Sequence, residues 1–148
     1  MGARWPTSSL IIGGLTVAAL WGLAPVVQKA LLVHLPRQTI FALSTLVYAT
    51  SAVIYCCFHR QVILQSLPEV TGHQATLIIL AAFLGSFAAN LLFLEVLKDN
   101  PSYVVTALAF TSPIFTVALA ASLLGEKIKW TNVFGILLVV CGAVLVVL

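Results

Sequence analysis

Charge is what this chain has least of. Of 148 residues, 7 are lysine or arginine and 4 are aspartate or glutamate, a charged fraction of 7%. A soluble domain of this size needs roughly a quarter of its residues charged to clothe its surface. The shortage excludes such a domain, and lipid is left as the solvent. Cysteine is scarce too. Cys56, Cys57 and Cys141 all fall inside apolar runs. An adjacent pair and one distant thiol lack metal-ligand spacing, so they read as small packing residues. His34, His59 and His73 lie in connectors, with no ligand partners at standard zinc spacings. The net charge of +3 is too small and too scattered for nucleic-acid binding. There is no Ser/His/Asp or Cys/His set, so nothing points to an enzyme, and no cofactor is implied. Tandem repeats within the chain and low-complexity segments are also missing.

What is present is apolar sequence in bilayer-sized lengths. The hydrophobic fraction is 61% and the mean hydropathy +1.15. A hydrocarbon core of about 30 Å takes about 20 apolar residues in a helix. Five runs meet that length: Leu10–Val33, Thr39–Phe58, Gln74–Leu97, Ser102–Leu124 and Thr131–Leu148. They predict an all-α integral membrane protein with five spans in a single domain over 1–148. Strands of a membrane barrel alternate apolar and polar residues. Leu77–Leu84 and Ile136–Val140 do not alternate, which argues against a barrel. The first run is long, carries Lys29 near its end and lacks a small-residue cleavage site after it, unlike a signal peptide.

The connectors are short, except for His59–His73 with Pro68 and Gly72. His34–Gln38 holds Pro36 and Arg37. Lys98–Pro101 is a polar turn whose proline opens the next helix, and Gly125–Trp130 joins a helix-ending glycine to a headgroup-level tryptophan. Five spans put the termini on opposite sides. Arg4, Arg60, Lys127 and Lys129 would share the N-terminal side, and Lys29, Arg37 and Lys98 the other. The positive-inside rule then favours a cytoplasmic N-terminus by a single charge. The host membrane is read as the plasma membrane.

The spans are not smooth. The first contains Trp21, Gly22, Pro25, Gln28 and Lys29; Pro25 predicts a kink near Trp21–Pro25. In the second, Ser44, Tyr48, Ser51 and Tyr55 share one stripe. Such a stripe either lines a cavity or bonds neighbouring helices. The third places Ser86 and Asn90 one turn apart. Its Glu95 lies three residues from Lys98, which suits either an interfacial ion pair or a proton or cation coupling site. The fourth has Thr106, Pro113 and Thr116 along one stripe, with Pro113 interrupting the ladder at mid-span. The fifth carries Gly135 and Gly142 on one face and reads as a packing helix, with a dimer contact as one use for that face.

The segment from Leu94 to Leu148 resembles the EamA-like domain of the drug/metabolite transporter superfamily. It has a short turn after span three, Pro113 mid-membrane in span four and Leu124-Gly125-Glu126 closing that span. Gly135 and Gly142 follow in span five. Trp21-Gly22 and Arg37 at the start of span two fit the same pattern. The resemblance covers essentially the whole chain as one five-helix repeat. Glu95 departs from it, because the family has a small residue there. The first span also lacks the mid-membrane glutamate of the four-helix multidrug exporters.

The resemblance implies one half of a ten-helix inverted-repeat transporter. With five spans, a second repeat in tandem would insert upside down, so a lone repeat is completed by an inverted copy or a related half-transporter. The expected function is a secondary transporter subunit moving a small metabolite or drug-like solute by alternating access, as a dimer. The competing reading is a non-transporting assembly or regulatory protein that binds partner helices. Trp21, Gln28, Tyr48, Ser51, Tyr55, Asn90 and Thr116 are the candidate solute-lining residues, with Pro25 and Pro113 as hinges. Partners are the solute, membrane lipid and a second half, and no nucleic acid.

Overall fold

The computed structural model describes residues 6–148; Arg4, which enters the charge balance, lies outside them. The described residues form helices and no strand. Five helical stretches are long and apolar enough to cross a bilayer: Thr7–Leu32, Arg37–Phe58, Gly72–Asp99, Ser102–Leu123 and Trp130–Val147. A helix is the form that lipid demands, because it satisfies its own backbone.

The first span is the single helix α1, Thr7–Leu32, which continues through Pro25. That continuity is compatible with the kink expected near Trp21–Pro25. Bilayer helices absorb an internal proline because no water competes for the remaining backbone bonds and local adjustment re-satisfies the freed groups. Pro25 is also the one buried residue of α1. The second span is α2, Arg37–Phe58, preceded by Pro36 in an extended conformation at φ −61° and ψ 143°. That is the backbone conformation usual for the residue preceding a helix.

The connector after α2 is not a plain loop. It contains a short helix α3, Arg60–Ser66, and a 3₁₀ turn at Leu67–Glu69. Thr71 then caps the third span: its hydroxyl accepts from the Gln74 amide at 3.3 Å, and the Gln74 side chain accepts from the Thr71 amide at 2.9 Å. This reciprocal box starts the helix at Gly72, two residues ahead of the apolar run.

The third span runs as α4, Gly72–Ala82, a π-helical segment Phe83–Ala88, and α5, Ala89–Asp99. The fourth is divided into α6, Ser102–Ala109, and α7, Pro113–Leu123. Gly125, at φ 64°, occupies the left-handed position that ends α7, and the Glu126 amide returns to the Ala120 carbonyl at 3.2 Å. The Leu-Gly-Glu signature is therefore a helix stop. The fifth span, α8, covers Trp130–Val147.

Two compact units make up the described chain. One takes α1 up to Val27 together with Asp99–Leu148; the other is Gln28–Lys98. In the first unit α8 packs against α6 and α7, and Val105 and Ala143 are buried. In the second, the buried side chains are Ile40 in the first turn of α2 and Leu94 and Leu97 near the end of α5. Elsewhere large apolar side chains stand exposed along every span. In lipid these are solvated surfaces, not defects, since hydrocarbon tails are as apolar as leucine.

Candidate functional site

The first unit carries a break in the middle of a membrane helix. Pro113 has no amide to donate, and the Ile114 amide turns to the Thr111 carbonyl at 3.1 Å. The Phe110 carbonyl thus loses both donors that α or 3₁₀ geometry would supply. The Ser112 amide returns to the Ala109 carbonyl at 3.2 Å, and the Thr111 hydroxyl donates to the Leu108 carbonyl at 2.7 Å. The Phe110 carbonyl is therefore left open at mid-span, where an unmet polar group is costly.

Trp21 lies against the same residue. Its ring stacks on that of Phe110 with centroids 6.4 Å apart and planes within 5°. That is the offset-parallel arrangement aromatic rings favour. Trp21 remains 63% exposed, so most of its surface is available. Thr116 lies one turn into α7, exposed, with its hydroxyl donating to the Ser112 carbonyl at 3.2 Å. A flat aromatic pair beside an open acceptor can bind a planar or apolar solute that also presents a donor.

The second unit holds the remaining candidates. Tyr48 and Tyr55 of α2 are 68% and 61% exposed. Tyr55 stacks on His59 at 4.2 Å. Ser51 donates to the Val47 carbonyl at 2.9 Å. Gln28 and Asn90 are half-buried. Asn90 follows the π-helical segment, where Phe83 and Phe87 stack at 5.5 Å and Phe41 meets Phe87 edge-on at 5.3 Å. This trio was not among the sequence candidates. Its signal was Phe83 and Phe87 at helical spacing; the π segment and the Phe41 contact had none.

Several span hydroxyls bond within their own helices. Thr16, Thr45, Thr50, Ser51, Thr76, Thr116 and Ser122 each donate to a carbonyl four residues back in their own helix. Such back-bonding satisfies a hydroxyl in lipid without a cavity or a neighbouring helix.

Glu95 also departs from expectation. Its partner is Arg37, not Lys98. Lys98 is three residues along the same helix, but Arg37 sits at the start of α2 with a longer, forked side chain that suits a carboxylate. Lys29 closes the same end of the unit. Its ammonium donates to the Leu97 carbonyl at 2.7 Å and the Lys98 carbonyl at 2.8 Å. These are last-turn acceptors of α5, where the helix dipole favours a cation. The described residues contain no cluster of histidine, cysteine and acid able to hold a metal.

A family model described as the EamA-like transporter family matches residues 8–148. No curated protein and no solved structure matches the chain.

Proposed function

The chain belongs to the EamA-like transporter family, and from that premise we propose that it moves a small organic solute across the membrane by alternating access, as one half of a two-part carrier. The observation that carries this is the interruption of the fourth span at Phe110–Ser112 with Trp21 stacked on Phe110. Broken membrane helices present backbone groups to a solute at the depth where it must bind. The aromatic pair takes the body of the solute, and the Phe110 carbonyl accepts from its donor. Gln28, Tyr48, Ser51, Tyr55 and Asn90 are proposed as further lining, and Pro113 as the hinge. The second half is an inverted copy of these five helices or a related half-transporter, because a second five-span repeat joined in tandem would insert upside down. The host is proposed to be the plasma membrane, with the N-terminus of one half cytoplasmic.

Counterflow in vesicles containing the purified protein tests the reading. A panel of labelled aromatic and aliphatic metabolites is offered, and uptake of at least one is expected to fall in Trp21→Ala and Phe110→Ala. Uptake unaffected by both substitutions would remove this site.

A second reading draws support from the back-bonded hydroxyls. Helices whose polar groups are satisfied internally present smooth faces to other helices, as an assembly or regulatory subunit would. A chain that copurifies with a membrane partner and gives no counterflow for any solute would favour it.

A further inference from the structure

We propose that the turn between α1 and α2 forms a binding site for a phosphate-class oxyanion, a function separate from solute movement and independent of it. A crevice of about 430 Å³ opens there, lined by residues 32–38 and Lys98. Its polar groups are His34, Arg37, Gln38 and Lys98, and no carboxylate is among its lining residues. Of the 7 lysines and arginines in the chain, two border this crevice, Arg37 already paired with Glu95 and Lys98 beside it.

Three further features favour an anion. First, Lys98 makes no ion pair among the described residues; the one ion pair there is Arg37 with Glu95. Its ammonium is therefore available. Second, Arg37 and Gln38 open α2, a helix of 22 residues whose N-cap is Pro36. There is no side-chain cap bond and no acid in the first turn, so the positive end of the helix dipole lacks a counter-charge of its own. Third, the negative end of α5 beside the crevice is already met by Lys29. Two of the last-turn carbonyls that would repel an anion are thereby occupied.

The crevice lies where the first span ends, the second begins and the third ends. That is headgroup depth, so the oxyanion could belong to an anionic phospholipid or to a soluble phosphate. The arms of the test separate them. The purified protein is placed in nanodiscs of phosphatidylcholine alone, of phosphatidylcholine with phosphatidylglycerol, and of phosphatidylcholine with inorganic phosphate in the buffer. The thermal midpoint and the retained lipid are read for wild type, Lys98→Gln, Gln38→Glu and the double variant Lys127→Gln/Lys129→Gln.

A midpoint raised by phosphatidylglycerol assigns the site to lipid, and one raised by inorganic phosphate assigns it to a soluble anion. In either case Lys98→Gln should bind about fivefold more weakly, the share of one lysine near a charged surface. Gln38→Glu, which puts a carboxylate into the crevice, should lose the response and serves if Lys98→Gln does not fold. The double variant, in the turn before α8, should keep it. The proposal is overturned if neither anion raises the midpoint, or if the double variant loses as much response as Lys98→Gln.

Discussion

Arg37, the first residue of α2, forms an ion pair with Glu95 near the end of α5. The pair joins two spans distant in sequence, beside the buried Ile40, Leu94 and Leu97. Both side chains are partly exposed, at 36% and 48%, so solvent and headgroups screen them. Pairs of this kind contribute about 0.2–1 kcal/mol. A double-mutant cycle with Arg37→Gln and Glu95→Gln, read by thermal unfolding in detergent, should give a coupling energy in that range. It should shrink as salt is raised. A coupling of zero at low salt would show that the pair holds nothing.

Lys29 acts on the same end of the molecule through the backbone. Lys29→Met keeps the aliphatic stem and removes the cation from the Leu97 and Lys98 carbonyls. The last turn of α5 should fray, with a loss of about 1 kcal/mol. Hydrogen exchange over residues 94–100 is the measurement. Faster exchange is expected in Lys29→Met and near-normal exchange in Lys29→Arg, which retains a donor.

These two contacts show where sequence reading reaches its limit. The five spans were legible because apolar length alone decides a bilayer helix. The Leu-Gly-Glu stop was legible because only a glycine suits the φ of 64° at Gly125. The partner of Glu95 was not, since Lys98 is near along the chain and Arg37 is near only after α2 and the third span fold back on each other. The capping box at Thr71 and Gln74 was present as a Thr-x-x-Gln spacing, but the apolar run drew attention two residues further on. The two prolines could not be told apart in advance. Both sit within apolar runs, yet α1 continues through Pro25 while the fourth span parts at Pro113.

Trp21 and Phe110 make a separable prediction about solute binding. Aromatic pairs contribute roughly 0.5–1.5 kcal/mol beyond their buried area. Trp21→Ala should raise KM for a transported aromatic solute by roughly two- to tenfold, on that energy scale. Trp21→Phe should retain most of the affinity, because the stack survives. Initial uptake rates at several solute concentrations separate KM from the maximal rate. An equal loss in both variants would mean that the indole acts by something other than stacking.

Leu97 tests the packing of the second unit. It is fully buried, with Leu94 beside it at 1% exposure. Leu97→Ala leaves a cavity that lipid tails cannot fill from outside, and buried leucine truncations cost about 2–5 kcal/mol. The lower part of that range is expected, because transfer from lipid adds little to packing. Unfolding in mixed micelles measures it. Leu138→Ala, at a residue 67% exposed on α8, should change stability by far less.

The break at Pro113 should matter for movement more than for stability. Replacing Pro113 with alanine restores an amide and permits a continuous helix through Phe110–Ser112, and an internal proline costs a helix about 3 kcal/mol. Pro113→Ala should therefore be at least as stable as the wild type. If the interruption is the flexing point of the transport cycle, the same substitution should slow maximal uptake while leaving expression intact. It should also supply the Phe110 carbonyl with a donor that competes with the solute. Pro25→Ala, in a helix already continuous, should alter uptake much less. Loss of transport in Pro25→Ala with normal transport in Pro113→Ala would reverse the assignment and place the hinge in α1.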